Sequence, residues 1–296
     1  MSSTINAIAP WFGGKRTLAP KVVQQLGKHG QYFEPFCGSM AVLFAKEPSQ
    51  KETVNDLHAD LINLAFVLQL KHAAEDLYDR LHRTLFSEGL LDQARVELDR
   101  TEDQDSCDRA YWYFLASWMG RNGTAGTARV DYQIAVRWTK GGGSPTVRFR
   151  HAIESIPWWH ERLRNVVILK RDAFKIIDRF EDCEATAIYA DPPYATETRG
   201  NGKAVKSGGG GKYLHEFEHA SELFGDDHTR LAEILRQYKK ARIVVSYYDC
   251  PRVRELYEGW NFIDCTMQKN LHAQNGRGAR PKTAPELLIV NGPVFD

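Results

Sequence analysis

Short apolar runs alternate with stretches of helical periodicity along this chain, and that alternation limits the fold more than any other feature. The apolar runs are rich in Val, Ile and aromatic residues and are bounded by turn residues, as buried strands are. They cover residues 32–36, 166–170, 186–190, 243–247, 262–267 and 287–290, and helical periodicity covers residues 56–70, 173–180 and 227–238. Strands and helices in alternation predict an α/β fold with a doubly wound parallel sheet. No helical pattern joins the last two strands, so we expect the last strand to be antiparallel.

Residues 74–159 interrupt this alternation. The stretch is helical and charged up to Asp108, aromatic from Tyr111 to Trp118, and irregular from there to Pro145. This change of pattern predicts an inserted, mainly helical domain, with the aromatic residues as its core rather than as a stacking platform. The sheet is then assembled from residues 1–73 and 160–296.

Composition and charge exclude several classes of protein. The chain of 296 residues has a formal net charge of +1, no apolar run long enough to span a membrane, and no signal-peptide pattern at its start. None of its five cysteines forms a CxxC pair, so neither a disulfide framework nor a clustered metal site is expected. We therefore expect a cytoplasmic protein without a metal.

Basic residues are concentrated in three stretches that contain no acidic residue, namely 137–150, 199–212 and 269–282. All three lie in irregular or glycine-rich sequence, and each of them alone is explained as a solvated loop. Lys and Arg side chains without neighbouring acids favour contacts with the phosphates of a nucleic acid.

The sharpest motif is Asp191-Pro192-Pro193-Tyr194, directly after the apolar run at 186–190. The carboxyl end of a strand in a doubly wound sheet is where ligands bind. Proline has no N–H group, so the carbonyl groups of this turn are available to a ligand. A carboxylate and a carbonyl that accept both N–H groups of an exocyclic amine would stabilise the charge that develops as this poor nucleophile attacks. The motif therefore indicates chemistry on a nucleobase amine, with Tyr194 offering a face on which the base stacks.

Two further motifs are typical of a nucleotide-like cofactor pocket. Pro10-Trp11-Phe12-Gly13-Gly14-Lys15 combines glycines that allow close approach of a ligand with a lysine that can neutralise a carboxylate. Glu34-Pro35-Phe36-Cys37-Gly38 places a glycine turn directly after a strand. Asp56 follows some twenty residues later, where an acid can bind ribose hydroxyls, and capping of the next helix is its alternative role.

In this order the motifs resemble the Dam-like family of DNA adenine methyltransferases, in the alpha arrangement with the recognition domain ahead of Asp-Pro-Pro-Tyr. The resemblance spans essentially the whole chain and includes Gln274-Asn275-Gly276 and Pro285-Glu286-Leu287-Leu288 near its end. It implies that S-adenosylmethionine is bound by Trp11, Lys15, Glu34, Phe36, Gly38, Asp56, Asp172 and Asp191. It implies that the target base is held by Asp191, Pro192, Pro193 and Tyr194. Two features depart from the family pattern: Met40 replaces its usual second glycine, and the insertion at 198–212 is longer than expected.

The resemblance implies methyl transfer to the N6 amine of an adenine that is flipped out of double-stranded DNA at a specific site, by a monomeric enzyme. The expected DNA contacts are Arg121, Asn122, Arg137, Lys140, Lys203, Lys206, Lys212, Asn275 and Arg277.

Direct transfer is expected, because C5-cytosine methylation needs a cysteine nucleophile, usually after proline, and the chain has no Pro-Cys pair. N4-cytosine methylation and a non-catalytic DNA-binding relative are the alternatives; Asp at 191 rather than Ser favours adenine. Methylation of RNA or of protein glutamine is a weaker option.

Overall fold

A computed structural model describes residues 5–11, 14–100, 106–120, 133–136, 143–194, 226–268 and 283–296. Its strands are β1 (Gln31–Glu34), β2 (Lys51–Asn55), β3 (Val166–Leu169), β4 (Thr186–Ala190), β5 (Arg242–Tyr248), β6 (Asn261–Asp264), β7 (Met267–Gln268), β8 (Thr283–Ala284) and β9 (Glu286–Val290). Seven of them form one sheet in the order β3-β2-β1-β4-β5-β9-β6, and β7 and β8 form a separate antiparallel pair. The fold is thus mixed α/β around a seven-stranded, mostly parallel sheet.

The strand pairing confirms the predicted direction of the last strand. Neighbouring strands from β3 to β5 are parallel, whereas β9 lies antiparallel between β5 and β6. The order reverses between β1 and β4, which is the point where ligands bind in sheets of this kind. The predicted run at 262–267 is divided, because the Asp264 carboxylate accepts a hydrogen bond from the backbone N–H of Thr266 (2.8 Å) and turns the chain between β6 and β7.

Helices cover both faces of this sheet. They are α1 (Ala19–Leu26), α2 (Ala41–Ala45), α3 (Ala59–Gln69), α4 (Lys71–His82), α5 (Glu88–Arg100), α6 (Cys107–Met119), α7 (Pro145–Glu154), α8 (Ile156–Leu163), α9 (Asp227–Gln237) and α10 (Pro251–Leu256). Alternate strand residues enter opposite hydrophobic clusters: Tyr32 belongs to the cluster that contains residues of α3 and α6, and Phe33 to the one that contains residues of α9 and α10. None of the helices in the described ranges is both long and apolar enough to cross a membrane.

The helix predicted at 173–180 is wrong. The structure has two 3-10 turns there, at Ala173–Lys175 and Ile177–Arg179, separated by Ile176 with φ −130°. The Asp172 carboxylate accepts the backbone N–H of Phe174 at 2.9 Å, which closes a tight turn at the end of β3. Further along, the Tyr238 hydroxyl donates to the carbonyl of Ile177 and holds the second turn against α9. Capping and tertiary contacts therefore outweigh the apolar periodicity of this segment.

Most of the aromatic residues at 111–118 are buried, as predicted, but they lie in a cluster shared with the helices of the sheet rather than in a core of their own. Tyr111, Tyr113, Phe114 and Trp118 on α6 are buried, and they share one hydrophobic cluster with α3. The helices described within 74–159 therefore pack against the helices, such as α3, that cover one face of the sheet. The assignment of this stretch to target recognition stays a prediction.

Candidate active site

A cavity of about 410 Å³ opens at the carboxyl ends of β1 to β4. Its size lies within the range of small-molecule sites. Each of these strands contributes its following turn, and the segment before α1 and the first turn of α9 complete the walls. Ten of the residues that were predicted for cofactor or base binding line it: Trp11, Lys15, Glu34, Phe36, Gly38, Asp56, Asp172, Asp191, Pro192 and Pro193.

The turn after β1 is shaped by Gly38. Its φ of +44° favours glycine, and a Cβ at this position would come within 2.8 Å of the Trp11 indole nitrogen. Two residues later, Met40 has a φ of +61° and is fully buried. The methionine thus adopts the left-handed conformation that the usual second glycine of the family pattern would adopt without strain.

Asp56 ties two of the turns together. One carboxylate oxygen accepts the backbone N–H of Gly38 and the other accepts that of His58, both at 2.9 Å. The proposed helix-capping role of Asp56 is wrong, because His58 is the N-cap of α3 and its Nδ1 accepts the backbone N–H of Leu61 at 3.3 Å. Each oxygen of Asp56 retains a lone pair, so the carboxylate can still accept ribose hydroxyls.

Asn55 joins the turns after β1, β2 and β3. Its amide donates to the carbonyls of Pro35 (3.0 Å) and Arg171 (2.9 Å), and its carbonyl accepts the backbone N–H of Arg171 (3.0 Å). In the sequence Asn55 directly precedes the predicted ribose-binding residue Asp56. Its role depends on a partner 116 residues away, and no local pattern reveals that pairing.

Glu34 is buried at the floor of the cavity. The Tyr32 hydroxyl donates a hydrogen bond to its Oε2 at 2.9 Å. Burial raises the pKa of Glu34 well above its ordinary value; the hydrogen bond from Tyr32 opposes this rise, and the negative charge of Asp191 adds to it. A positive charge placed in the cavity would favour the ionised form of Glu34.

Asp191 is held through one of its two oxygens. Its Oδ1 accepts a hydrogen bond from the Ser246 hydroxyl at 2.7 Å and lies 3.0 Å from the Lys15 ammonium. The resemblance assigned Lys15 to a cofactor carboxylate, and the structure pairs it with Asp191. An ammonium has three hydrogens, so pairing with Asp191 does not by itself exclude a second carboxylate as a partner.

Tyr194 does not offer the open face expected from the sequence. Its side chain is only 4% exposed, and its hydroxyl donates to Glu286 Oε2 at 2.7 Å. The Lys15 ammonium lies 4.7 Å from the ring centroid, and Tyr248 meets the ring edge-on at 4.6 Å. The hydrogen bond to Glu286 keeps the hydroxyl buried. Because Lys15 lies over the ring, a base could stack on Tyr194 only after Lys15 moves.

The opposite end of the cavity contains residues that sequence reasoning missed. Phe174 lines the wall beside Asp172, and the guanidinium of Arg230 lies 4.4 Å from the centroid of the Phe174 ring. Arg230 comes from α9, and the helical periodicity at 227–238 predicted the helix without distinguishing this position. The pair presents an aromatic face and a cation near the end of β3.

Comparison with known families identifies the chain. A model of the D12 class N6 adenine-specific DNA methyltransferases matches residues 11–271, which include the cavity-lining segments and the Asp-Pro-Pro-Tyr motif. The chain belongs to this family. It is an adenine-specific DNA methyltransferase that methylates the N6 amine of adenine, so the family decides against N4-cytosine methylation and against a non-catalytic relative.

Three relatives that are named as methyltransferases or methylases are similar to this chain over most of its length. The type II methyltransferase M.MjaIII of Methanocaldococcus jannaschii is 26% identical over 302 residues, covering 95% of this chain and 97% of that protein. The retron Ec67 DNA adenine methylase of Escherichia coli is 24% identical and covers 97% and 92%. The DNA N-6-adenine-methyltransferase of Escherichia phage P1 is 25% identical over 86% of this chain but only 31% of that longer protein.

The DNA contacts predicted for the methyltransferase lie outside the described residues. They are Arg121, Asn122, Arg137, Lys140, Lys203, Lys206, Lys212, Asn275 and Arg277. The long insertion at 198–212 also lies outside them. These assignments stay predictions.

Proposed function

We propose that the cavity binds S-adenosylmethionine beside an adenine flipped out of double-stranded DNA, and that Asp191 acts on the N6 amine during direct transfer of the methyl group. One observation carries this proposal: a single cavity brings together four turns whose residues suit a charged nucleoside and, at its Asp191 end, an exocyclic amine. When bound, the cofactor supplies a methyl group on a positively charged sulfur, which is a strong electrophile.

The residues present fit the chemical groups of this cofactor. The two oxygens of Asp56 suit a pair of ribose hydroxyls, and the Lys15 ammonium suits an amino-acid carboxylate. Buried Glu34 lies where a positive charge would stabilise its ionised form. Phe174 and Asp172 offer an aromatic face and an acceptor for the adenine ring of the cofactor.

Asp191 and Pro192 act on the target amine. The amine is a poor nucleophile because its lone pair is delocalised into the ring. Asp191 accepts one N–H and the carbonyl of Pro192 accepts the other, so charge that develops on the nitrogen is stabilised where it forms. Among the described residues no hydrogen bond is made to Asp191 Oδ2, and this oxygen is the acceptor that we assign to the amine.

No covalent enzyme intermediate is required. Cys37 is the cysteine that lines the cavity in the described part of the chain. Burial raises the pKa of the Cys37 thiol well above its ordinary value, and the negative charges of Asp56 and Glu34 raise it further. A protonated, buried thiol is a poor nucleophile, which favours direct transfer.

DNA recognition is assigned to a mainly helical inserted domain at 74–159, together with the basic stretches at 199–212 and 269–282. Their Lys and Arg side chains would bind phosphates, and base contacts would offset the few kcal/mol that unstacking of the adenine costs. The catalytic part is then formed by residues 1–73 and 160–296 of a monomer.

Calorimetric titration with S-adenosylmethionine tests the cofactor assignment. Lys15→Ala and Asp56→Ala should each weaken binding by roughly 1–3 kcal/mol, because each removes a charged hydrogen-bonding partner. Asp182→Ala is the matched control: this carboxylate also accepts backbone N–H groups (from 239–241, at 2.8–2.9 Å) but does not line the cavity. Wild-type affinity in both cavity variants, or an equal loss in the control, would place the cofactor elsewhere.

A further inference from the structure

Ser246 is a polar residue at a fully buried position, where a side chain is expected to be either apolar or fully hydrogen-bonded. It lies on β5 between buried neighbours and has no exposed surface. A hydroxyl buried in this way is costly unless it is hydrogen-bonded. The described contacts of its Oγ are Asp191 Oδ1 at 2.7 Å and the Tyr189 hydroxyl at 3.0 Å. Both partners belong to β4 or to the turn that follows it.

Strand register brings these three side chains together. β4 and β5 are parallel, with Tyr189 opposite Val244 and Ala190 opposite Val245. One further step along both strands brings Asp191 beside Ser246. Tyr189 precedes Asp191 by two residues and therefore shares its face of the sheet. The arrangement is a consequence of the sheet rather than of a flexible loop.

The direction of the hydrogen bonds follows from the chemistry of the groups. An ionised carboxylate only accepts, so the single Ser246 hydrogen points to Asp191. Ser246 must then accept from Tyr189, which donates its own hydrogen. Burial raises the pKa of Tyr189 well above its ordinary value, with the charge of Asp191 adding to the effect, so Tyr189 remains protonated and able to donate. The result is a directed chain from Tyr189 through Ser246 to Asp191.

We propose that Ser246, supported by Tyr189, is a positioning residue that fixes the rotation of the Asp191 carboxylate so that Oδ2 meets the target amine. Rotation about the bond that carries a carboxylate is only weakly restricted by itself. A short hydrogen bond to an ionised oxygen is stronger than one between neutral groups, and here it anchors Oδ1. This inference rests on the proposed role of Asp191 in acting on adenine.

Single-turnover methylation of duplex DNA tests this inference in five variants. Ser246→Ala should slow the transfer step by up to about 100-fold, because a carboxylate displaced by about 1 Å loses that much. Cofactor affinity should stay near that of the wild type, since the lost contact acts only on the reacting end of the cavity. Ser246→Thr keeps a hydroxyl and should restore most of the rate. Tyr189→Phe should give a smaller loss.

The remaining two variants separate the possible outcomes. Ser117→Ala removes another buried hydroxyl, on α6, and should keep the wild-type rate. If Asp191→Ala is inactive while Ser246→Ala and Tyr189→Phe both transfer at the wild-type rate, positioning by Ser246 is wrong and the role of Asp191 stands. If Asp191→Ala is itself active, the proposed function fails first. Should Ser246→Ala not fold, an undiminished rate in Tyr189→Phe would still overturn the proposal.

Discussion

Two buried glutamates with opposite pKa shifts show how single residues respond to their surroundings. Burial raises the pKa of Glu34, and one neutral hydroxyl is not enough to offset it. Burial also raises the pKa of Glu52, but the hydrogen bonds from Arg162 and Lys46 outweigh it and hold that pKa below its ordinary value. Folding therefore favours the protonated form of Glu34 and the ionised form of Glu52.

This contrast predicts opposite effects of pH on two variants. The stabilisation from neutral Glu34 is present below the ordinary carboxyl pKa and is lost as pH rises through its raised pKa. Glu34→Gln should therefore gain stability over the wild type as pH rises. The stabilisation from ionised Glu52 is lost as pH falls through its lowered pKa, so Glu52→Gln should cost about 3–5 kcal/mol at neutral pH and less in acid.

Urea unfolding from pH 8 down to below the lowered pKa of Glu52 measures both effects. Each variant serves as the control for the other, because both replace a buried carboxylate by an amide of the same shape. A Glu34→Gln protein that is less stable than the wild type at pH 8, or equal pH slopes for the two variants, would contradict the assignment.

At the scale of elements, the turn between β1 and α2 combines strain with burial. Met40 is the one non-glycine residue of the described chain with a positive φ, and it is also the N-cap of α2. The left-handed conformation costs roughly 1–2 kcal/mol for such a residue. Full burial of the methionine contributes more, about 1.5–3 kcal/mol, which explains how the turn tolerates it.

Two substitutions of Met40 separate these contributions. Both Met40→Ala and Met40→Gly should lower the free energy of unfolding, since both empty a buried site. Met40→Gly should be the more stable of the two by about 1 kcal/mol, because glycine adopts the positive φ without strain. The same pair at Val42, buried inside α2, should show the reverse order. Denaturant titration that ranks alanine above glycine at both positions would rule out strain at Met40.

Sequence patterns predicted the elements where local chemistry decides and failed where distant partners decide. The strands of the main sheet other than β2 followed from apolar runs bounded by turn residues, and their parallel order followed from the helices between them. β2 was not among these runs, because it begins with two charged residues. The segment at 173–180 failed because Asp172 caps a short turn and Tyr238 holds the next one. The start of α3 was misplaced by three residues because histidine is not a usual cap, and here His58 caps the helix.

At the scale of the whole molecule, the helical layer supports the site through the N-terminal segment. The indole N–H groups of Trp118 and Trp159 donate to the backbone carbonyls of Ile8 (3.1 Å) and Ile5 (2.7 Å). These contacts hold the chain that leads to Trp11 at the cavity. The helices described within 74–159 therefore contribute to the position of the proposed cofactor pocket, in addition to the DNA recognition that we propose for this stretch.

The cavity was predictable because all of its motifs except the one at residues 10–15 follow a strand, and parallel strands end at one edge of the sheet. The contacts that support the cavity could not be predicted from the sequence. Ser246 and Asp191 are 55 residues apart, and nothing near Ser246 in sequence indicates a partner at Asp191. The burial of Tyr194 depends on Glu286 in the same way, across 92 residues.

The chemical identity of the methylated base tests most directly whether the protein methylates the N6 amine of adenine through Asp191. DNA exposed to the wild-type protein and to Asp191→Ala should be digested to nucleosides and analysed by liquid chromatography with mass spectrometry. N6-methyladenine is expected with the wild type and none above background with the variant. N4-methylcytosine as the product, or undiminished N6-methyladenine with Asp191→Ala, would contradict this expectation.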